Sequence, residues 1–335
     1  MSNSMTNTNT DVGIAGLGYA IPERRVDNNY FTRFVETSDE WIVQRTGIKE
    51  RRWLEDHRKP SDLFTEAGQK ALDDSGVAAE DIDLVIVCTV SGDHQGVPAS
   101  ACVVHENLGC KDAGAFDVQA ACSGFIYGLS IGSQFIKTGT YKNILVIGGE
   151  ALSRIADIYD RNSVIIFSDG AGAAVLQPHA VCKQGLIEDL TLGADGAGAQ
   201  FITRPRGGGA EPITPEILAE GTHLIRLEGR QVYRFAVSQM ISLMKWGMEG
   251  QDPDDLGLIV PHQVNRRILE KTMEMLDIAE DKMFINIDYY GNTSAASVPI
   301  ALTEACNQGR LEKGKLVVLA AFGSGLTWAG ARIRW

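Results

Sequence analysis

The sequence predicts an α/β fold built from two copies of one unit. Three observations lead there. Short unbroken apolar runs such as LVIV and ILVI alternate with helical stretches along the chain; such alternation builds sheets covered by helices, and runs without polar alternation are buried on both faces. Three segments recur in the same order, separated each time by about half the chain. The 36 glycines against only 10 prolines indicate close backbone packing and tight strand-to-helix turns, not disorder.

The recurring segments define the elements in order. DDSGVAAEDIDLVIVCTV (73–90) and WGMEGQDPDDLGLIVPHQV (246–264) share a helix end, an acidic loop and a buried strand, which sets Cys88 opposite His262. GAFDVQAACSG (114–124) and FINIDYYGNTSAAS (284–297) share a short strand, a turn and a small-residue helix start, which sets Cys122 opposite Asn292. KNILVIGGE (142–150) and GKLVVLAAFG (314–323) are matching strands. Helices are expected over 62–75, 124–138, 231–248 and 264–276, and the sheets are expected to be mostly parallel. The chain divides into a frayed tail (1–10) and halves over 11–178 and 182–335. The most loop-like stretch, 195–222, is read as a surface loop or flap.

Bulk properties narrow the function. A net charge of −12 disfavours nucleic-acid binding, which depends on Lys and Arg neutralising phosphates. No apolar run reaches the roughly 18–20 residues that cross a bilayer. The opening MSNSMTNTNT has neither the basic region nor the apolar stretch of a signal peptide, so a cytoplasmic location is expected. Six cysteines occur, none in a CxxC pair and none near a His cluster. Free thiols, with no metal and no cofactor, are the expectation.

Three residues carry candidate chemistry. Cys122 follows strand FDV and opens a helix, where unpaired N–H groups and the helix dipole favour a thiolate. That placement predicts a pKa lowered from about 8.5 to below 7.5; the competing reading is a packed core cysteine. His262 ends a buried strand, where α/β sheets commonly build sites, or is a satisfied core histidine. Asn292 follows Gly291 in a turn and either joins the site or caps the next helix. The duplication sets all three at corresponding strand ends.

The motifs TSDEWIVQRTGIKER, DVQAACSGFIYGL, DRNSVIIFSDGAGAAVL, VPHQVNRRI, GNTSAASVPIAL and FGSGLTW resemble the thiolase superfamily, specifically the β-ketoacyl-acyl carrier protein synthase III family, from about Gly13 to Trp335. The resemblance implies a thiolase-like five-layered αβαβα fold and a homodimer. It implies that Cys122 takes an acyl group from acyl-CoA, and that His262 and Asn292 stabilise the enolate formed as a malonyl thioester on acyl carrier protein loses carbon dioxide. Backbone N–H groups of Cys122 and Ser324 would hold the second oxyanion. Ser324 departs from the all-glycine loop frequent in the family, but keeps its backbone donor. By the same resemblance Trp41 and Arg161 sandwich the CoA adenine, Arg45 meets a phosphate, and Asn265 contacts the pantetheine side. Arg234, Arg266 and Arg267 form a basic patch for the carrier protein, diluted by Glu270 and Glu274. Val97 and Phe322 belong to the acyl pocket, Val97 closing that of the partner subunit; a Val where acetyl-specific relatives carry Phe predicts a primer longer or more branched than acetyl. Rival readings are a specialised condensing or acyl-transferring relative of polyketide or quinolone type, a Cys-His-Asn hydrolase, and a non-catalytic binding protein.

Overall fold

The structure, a computed structural model, describes residues 10–335. The expected tail, Thr10 apart, lies outside the described residues. Nine principal strands run β1 (Val12–Ala20), β2 (Leu84–Cys88), β3 (Gly114–Val118), β4 (Ile144–Ala151), β5 (Asp169–Pro178), β6 (Leu186–Ala194), β7 (Leu256–Pro261), β8 (Leu316–Gly323) and β9 (Thr327–Arg334). The longer helices are α1 (Asp39–Thr46), α2 (Pro60–Ser75), α3 (Ser100–Leu108), α4 (Gly124–Lys137), α5 (Gly229–Met248), α6 (Arg266–Leu276) and α7 (Ser297–Asn307).

The strand order is β7-β8-β9-β6-β1-β5-β4-β2-β3. Within it one pattern occurs twice. In the first half β3-β2-β4-β5-β1 lie side by side; in the second β7-β8-β9-β6 repeat the last four places, and Met283 bridges Ile259 where the β3 counterpart belongs. The halves meet along β1 and β6 at Gly13 and Leu186. FINI, the matching strand expected near 284–287, is thus reduced to one bridge followed by a helical turn at Ile287–Tyr290.

Helices α4 and α7 lie between the two halves of the sheet. Helix α7 packs on β1 and β5 and also on β7 and β8, while α4 packs on β2, β4 and β9. Helices α2 and α3 cover the outer face of the first half, and α5 with α6 that of the second. This is the thiolase-like αβαβα arrangement with duplicated halves. The central apolar cluster runs from Leu84, Phe125 and Val146 to Val260, Leu302 and Leu319, which welds the halves together. The glycine content is used as expected: a Cβ on Gly16 would sit 2.6 Å from the Ala71 carbonyl, so β1 and α2 approach backbone to backbone.

The expected mostly parallel sheet is not found. The sheet is mixed: β2–β3, β2–β4 and β7–β8 run parallel, but β4–β5, β5–β1, β8–β9 and β9–β6 run antiparallel. Helices on both faces bury β4 and β8 completely, so apolar runs report burial and not strand direction. The loop-like 195–222 region contains a 3-10 turn (Gly196–Phe201), a two-residue strand paired with Arg226–Leu227, and a helix at Pro215–Glu220.

Candidate active site

Cys122 sits as the sequence places it, in a short 3-10 turn (Ala121–Ser123) between β3 and α4. The turn is sharp: Ala121 has φ 45°, a conformation costly for a residue with a Cβ. The second half of the chain holds it in place. Ser123 Oγ donates to the Ala120 carbonyl at 2.7 Å and lies 2.7 Å from Thr327 Oγ1, which bonds the same carbonyl. Gly323, at the end of β8, presses against the turn so closely that a Cβ there would lie 2.6 Å from Cys122 N.

The expected lowering of the Cys122 pKa is not found. Burial pushes the thiol up to about 12, with the Glu150 carboxylate adding to the rise and a hydrogen bond with Ser294 opposing it. Desolvation outweighs the helix N-terminus here.

His262 follows β7 and is fully buried. Its Nδ1 lies 2.6 Å from Ser297 Oγ, which also accepts from Gln263 N at 3.2 Å. Its Nε2 has no partner, and the residue lines the central cavity. Burial lowers its pKa to about 3, so the ring is neutral. Phe322 meets the ring edge-on, with centroids 5.7 Å apart. Asn292 is also buried. Its Oδ1 accepts from Ser294 N at 2.8 Å, so the turn uses its oxygen while the amide nitrogen is left to donate.

These residues surround one cavity of about 910 Å³, lined by Cys122, His262, Asn292, Phe322 and Ser324 among others. Ser324 ties this wall to the 195–222 region through Oγ to the Ile202 carbonyl at 2.6 Å. Asn265 lines the cavity too, while capping α6 through Arg267 N (2.9 Å) and donating to the Arg45 carbonyl (3.0 Å). Trp41 and Arg161 lie outside this lining. They stack on each other, the Arg161 guanidinium 4.7 Å from the indole centroid, with Arg45 at 5.4 Å from the same ring; a base entering between Trp41 and Arg161 has to part them. Arg45 and Arg267 share a separate surface depression.

Val97 is 86% exposed and lies outside the cavity of its own chain. Arg266 is ion-paired with Glu270 (2.8 Å) and Glu280 (3.4 Å), whereas Arg234 and Arg267 are exposed. Glu274 pairs with Lys271 and leaves the arginines alone. All six cysteines are free thiols. Among the described residues no His, Cys, Asp and Glu side chains group as metal ligands, and no helix is long and apolar enough to cross a membrane.

Sequence reasoning missed the polar residues behind the site. Glu150, at the end of β4, is fully buried and accepts from Thr89 Oγ1 (3.2 Å), Val90 N (3.1 Å), Ser294 Oγ (3.2 Å) and, at very short range, Ser91 Oγ. The signal was present: a carboxylate closes the unbroken apolar run ILVIGG, which is already assigned as buried.

The fold and the convergence of Cys, His and Asn in one cavity between duplicated halves define a thiolase-fold protein with its site at the junction of the halves. Two family models match, 3-oxoacyl-(acyl-carrier-protein) synthase III over residues 116–196 and its C-terminal domain over 248–335. A β-ketoacyl-(acyl-carrier-protein) synthase III from Caldanaerobacter subterraneus subsp. tengcongensis is 46% identical, with 96% of this chain and 97% of that protein aligned. The crystal structure of the 3-oxoacyl-(acyl-carrier-protein) synthase III of Aquifex aeolicus superposes with a TM-score of 0.88 at 37% identity, covering 97% of this chain and all of that one. The priming β-ketosynthase of the R1128 polyketide pathway superposes at 0.89 with 29% identity, covering 99% and 98%. The chain belongs to the β-ketoacyl-(acyl-carrier-protein) synthase III family.

Proposed function

We propose that this protein is an acyltransferase of fatty acid synthesis that condenses an acyl-CoA primer with malonyl-acyl carrier protein, through an acyl group held on Cys122. The observation that carries the reading is the cavity in which a thiol on a strained turn faces an unpartnered, neutral imidazole nitrogen and a free carboxamide nitrogen. In the first half-reaction the Cys122 sulfur attacks the thioester carbonyl and CoA leaves. The Cys122 and Ser324 backbone N–H groups are assigned to the oxyanion formed on that carbon.

In the second half-reaction the malonyl thioester loses carbon dioxide and its carbonyl oxygen becomes an enolate oxygen. Ser297 Oγ accepts from Gln263 N and lies 2.6 Å from His262 Nδ1, and we assign its own hydrogen to that nitrogen. That leaves the ring proton on Nε2, so His262 Nε2 and Asn292 Nδ2 both act as donors to the enolate. Two such donors contribute a few kcal/mol each. The carbanion then attacks the acyl carbon and releases the Cys122 sulfur. No cofactor enters this chemistry.

Trp41, Arg161, Arg45 and Asn265 are assigned to CoA, Phe322 and the partner's Val97 position to the acyl pocket, and Arg234 with Arg267 to the carrier protein. Pairing of Arg266 with Glu270 and Glu280 leaves it the weakest member of that patch. We assign the structural halves to 11–178 and 182–335, the location to the cytoplasm, and the assembly to a homodimer. A dimer is favoured by β3, an outer strand whose residues are all partly exposed; such edges are normally covered.

The test is turnover of acetyl-, isobutyryl- and octanoyl-CoA with malonyl-acyl carrier protein. The wild-type protein is expected to form β-ketoacyl product and carbon dioxide. His262→Ala and Asn292→Ala are expected to load the acyl group but to lose condensation by ~10²-fold or more. Release of free acid without malonyl consumption would make the protein a hydrolase instead.

A further inference from the structure

On the reading that Asn292 donates to the enolate, we propose that Glu150 is a positioning residue for Asn292: by holding Ser294 it fixes the turn that aims the carboxamide into the cavity.

Asn292 stands on a tight turn of the second half that is seated on the first. Its N–H donates to the Ile166 carbonyl at 3.0 Å, and its carbonyl accepts from Ser168 N at 2.9 Å. Two residues on, Ser294 has φ 51°, in the left-handed region that is costly for a residue with a Cβ. In that conformation its N–H donates to Asn292 Oδ1 at 2.8 Å. A backbone N–H can only donate, so the side-chain atom facing it is the oxygen, and the amide nitrogen takes the other side. The carboxamide cannot turn over without giving up this bond. Strained backbone of this kind persists only where its surroundings hold it.

Strand β4 supplies the hold. Gly148 lies so close to the turn that a Cβ there would collide with the Ala295 carbonyl oxygen. Glu150 follows two residues later, on the same face of the strand, and accepts from Ser294 Oγ at 3.2 Å.

The grip is firm because nothing else neutralises the carboxylate. Glu150 is fully buried, and among the described residues no Lys, Arg or His forms an ion pair with it. Its charge rests on Thr89 Oγ1, Val90 N, Ser91 Oγ and Ser294 Oγ. A buried carboxylate is costly unless its hydrogen bonds are made, so the release of any donor is opposed. Three of the donors follow β2, and only Ser294 comes from the second half. Glu150 thus ties the Asn292 turn to residues 89–91, and both segments line the cavity.

The test is a single turnover on the full chain. Octanoyl-CoA loads Cys122, malonyl-acyl carrier protein is added, and intact mass follows the gain and then the loss of the acyl group. Ser294→Ala keeps the Cβ but loses the grip; discharge is expected to slow by ~10-fold while loading stays within about 2-fold of wild type, because only a group used in condensation is displaced. Ser294→Gly also loses the grip but adopts φ 51° without strain, and is expected to regain most of the discharge rate. Glu150→Met keeps the volume and removes the acceptors. It is expected to discharge as slowly as Ser294→Ala, and the double variant no more slowly than either, because the two act as a unit. Equal losses in Ser294→Ala and Ser294→Gly would mean that the hydroxyl itself is needed at the site, and would overturn the proposal. So would wild-type discharge in Ser294→Ala, or a loss there shared equally by loading and discharge. Where Glu150→Met does not fold, the two Ser294 variants decide. Discharge at the wild-type rate in Asn292→Ala refutes the reading of Asn292 itself, which separates the two failures.

Discussion

Replacing Gly323 by Ala places one methyl group against the turn that carries Cys122. The new Cβ would lie 2.6 Å from Cys122 N, 3.2 Å from Cys122 Cβ and 3.3 Å from Ala121 Cβ, where ordinary contact begins at 3.4 Å. The end of β8 and the nucleophile turn therefore have to separate by most of an ångström. Neither side yields easily, because Ser123 and Thr327 pin the turn to the strand that follows. Overpacking of this kind costs roughly 1–3 kcal/mol of stability, which a well-packed chain tolerates. The effect on chemistry is larger, since displacing a reacting group by 1 Å costs about 10²-fold in rate. The assay is the rate of octanoyl transfer to Cys122, read by intact mass alongside a thermal unfolding curve. A folded Gly323→Ala protein that loads at the wild-type rate would refute the claim that this contact positions the thiol.

Two further predictions concern specificity and pH. Val97→Phe is expected to leave single-chain stability unchanged, because residue 97 is 86% exposed, while octanoyl loading falls and acetyl loading persists; competition between the two CoA esters measures it, and strict acetyl preference in the wild type would refute the reading of Val97. His262, with its pKa lowered to about 3 from an ordinary 6.5, binds fewer protons folded than unfolded across that window. Its contribution to stability is present above pH 6.5 and is lost as pH falls toward 3. Glu150, raised to about 7, acts in the opposite sense as pH falls from 7, so the comparison is made at the histidine: the urea midpoint should drop more steeply from pH 6.5 to 4.5 in the wild type than in His262→Gln. Parallel pH dependences in the two proteins would contradict a buried neutral imidazole.

The duplication was legible in the sequence because it repeats local grammar: an apolar strand, a turn and a small-residue helix start leave the same trace in both halves. Cys122, His262 and Asn292 line one cavity because their segments occupy matching places in the repeat, although the strand expected before Asn292 is reduced to a single bridge. Strand direction was not legible. Burial by helices on both faces erases the polar alternation that would otherwise mark an antiparallel strand, as in β4, which is buried along its whole length yet pairs antiparallel with β5. The Cys122 pKa was misjudged because a helix N-terminus is visible in sequence whereas desolvation depends on what packs around the thiol. The pairing of Glu150 with Ser294 could be seen only in three dimensions, because they lie far apart in the chain. Asn292 gives its side-chain oxygen to the turn and also lines the cavity, so the two readings that the sequence presents as alternatives do not exclude each other.

The central claim is that Cys122 holds the acyl group. Mass spectrometry of the full chain after incubation with acetyl-, isobutyryl- and octanoyl-CoA, with peptide mapping of the adduct, tests it directly. The expected result is one acyl group per chain, located on Cys122 and absent from Cys122→Ala. An adduct that persists in Cys122→Ala, or that maps to another of the six thiols, would contradict it.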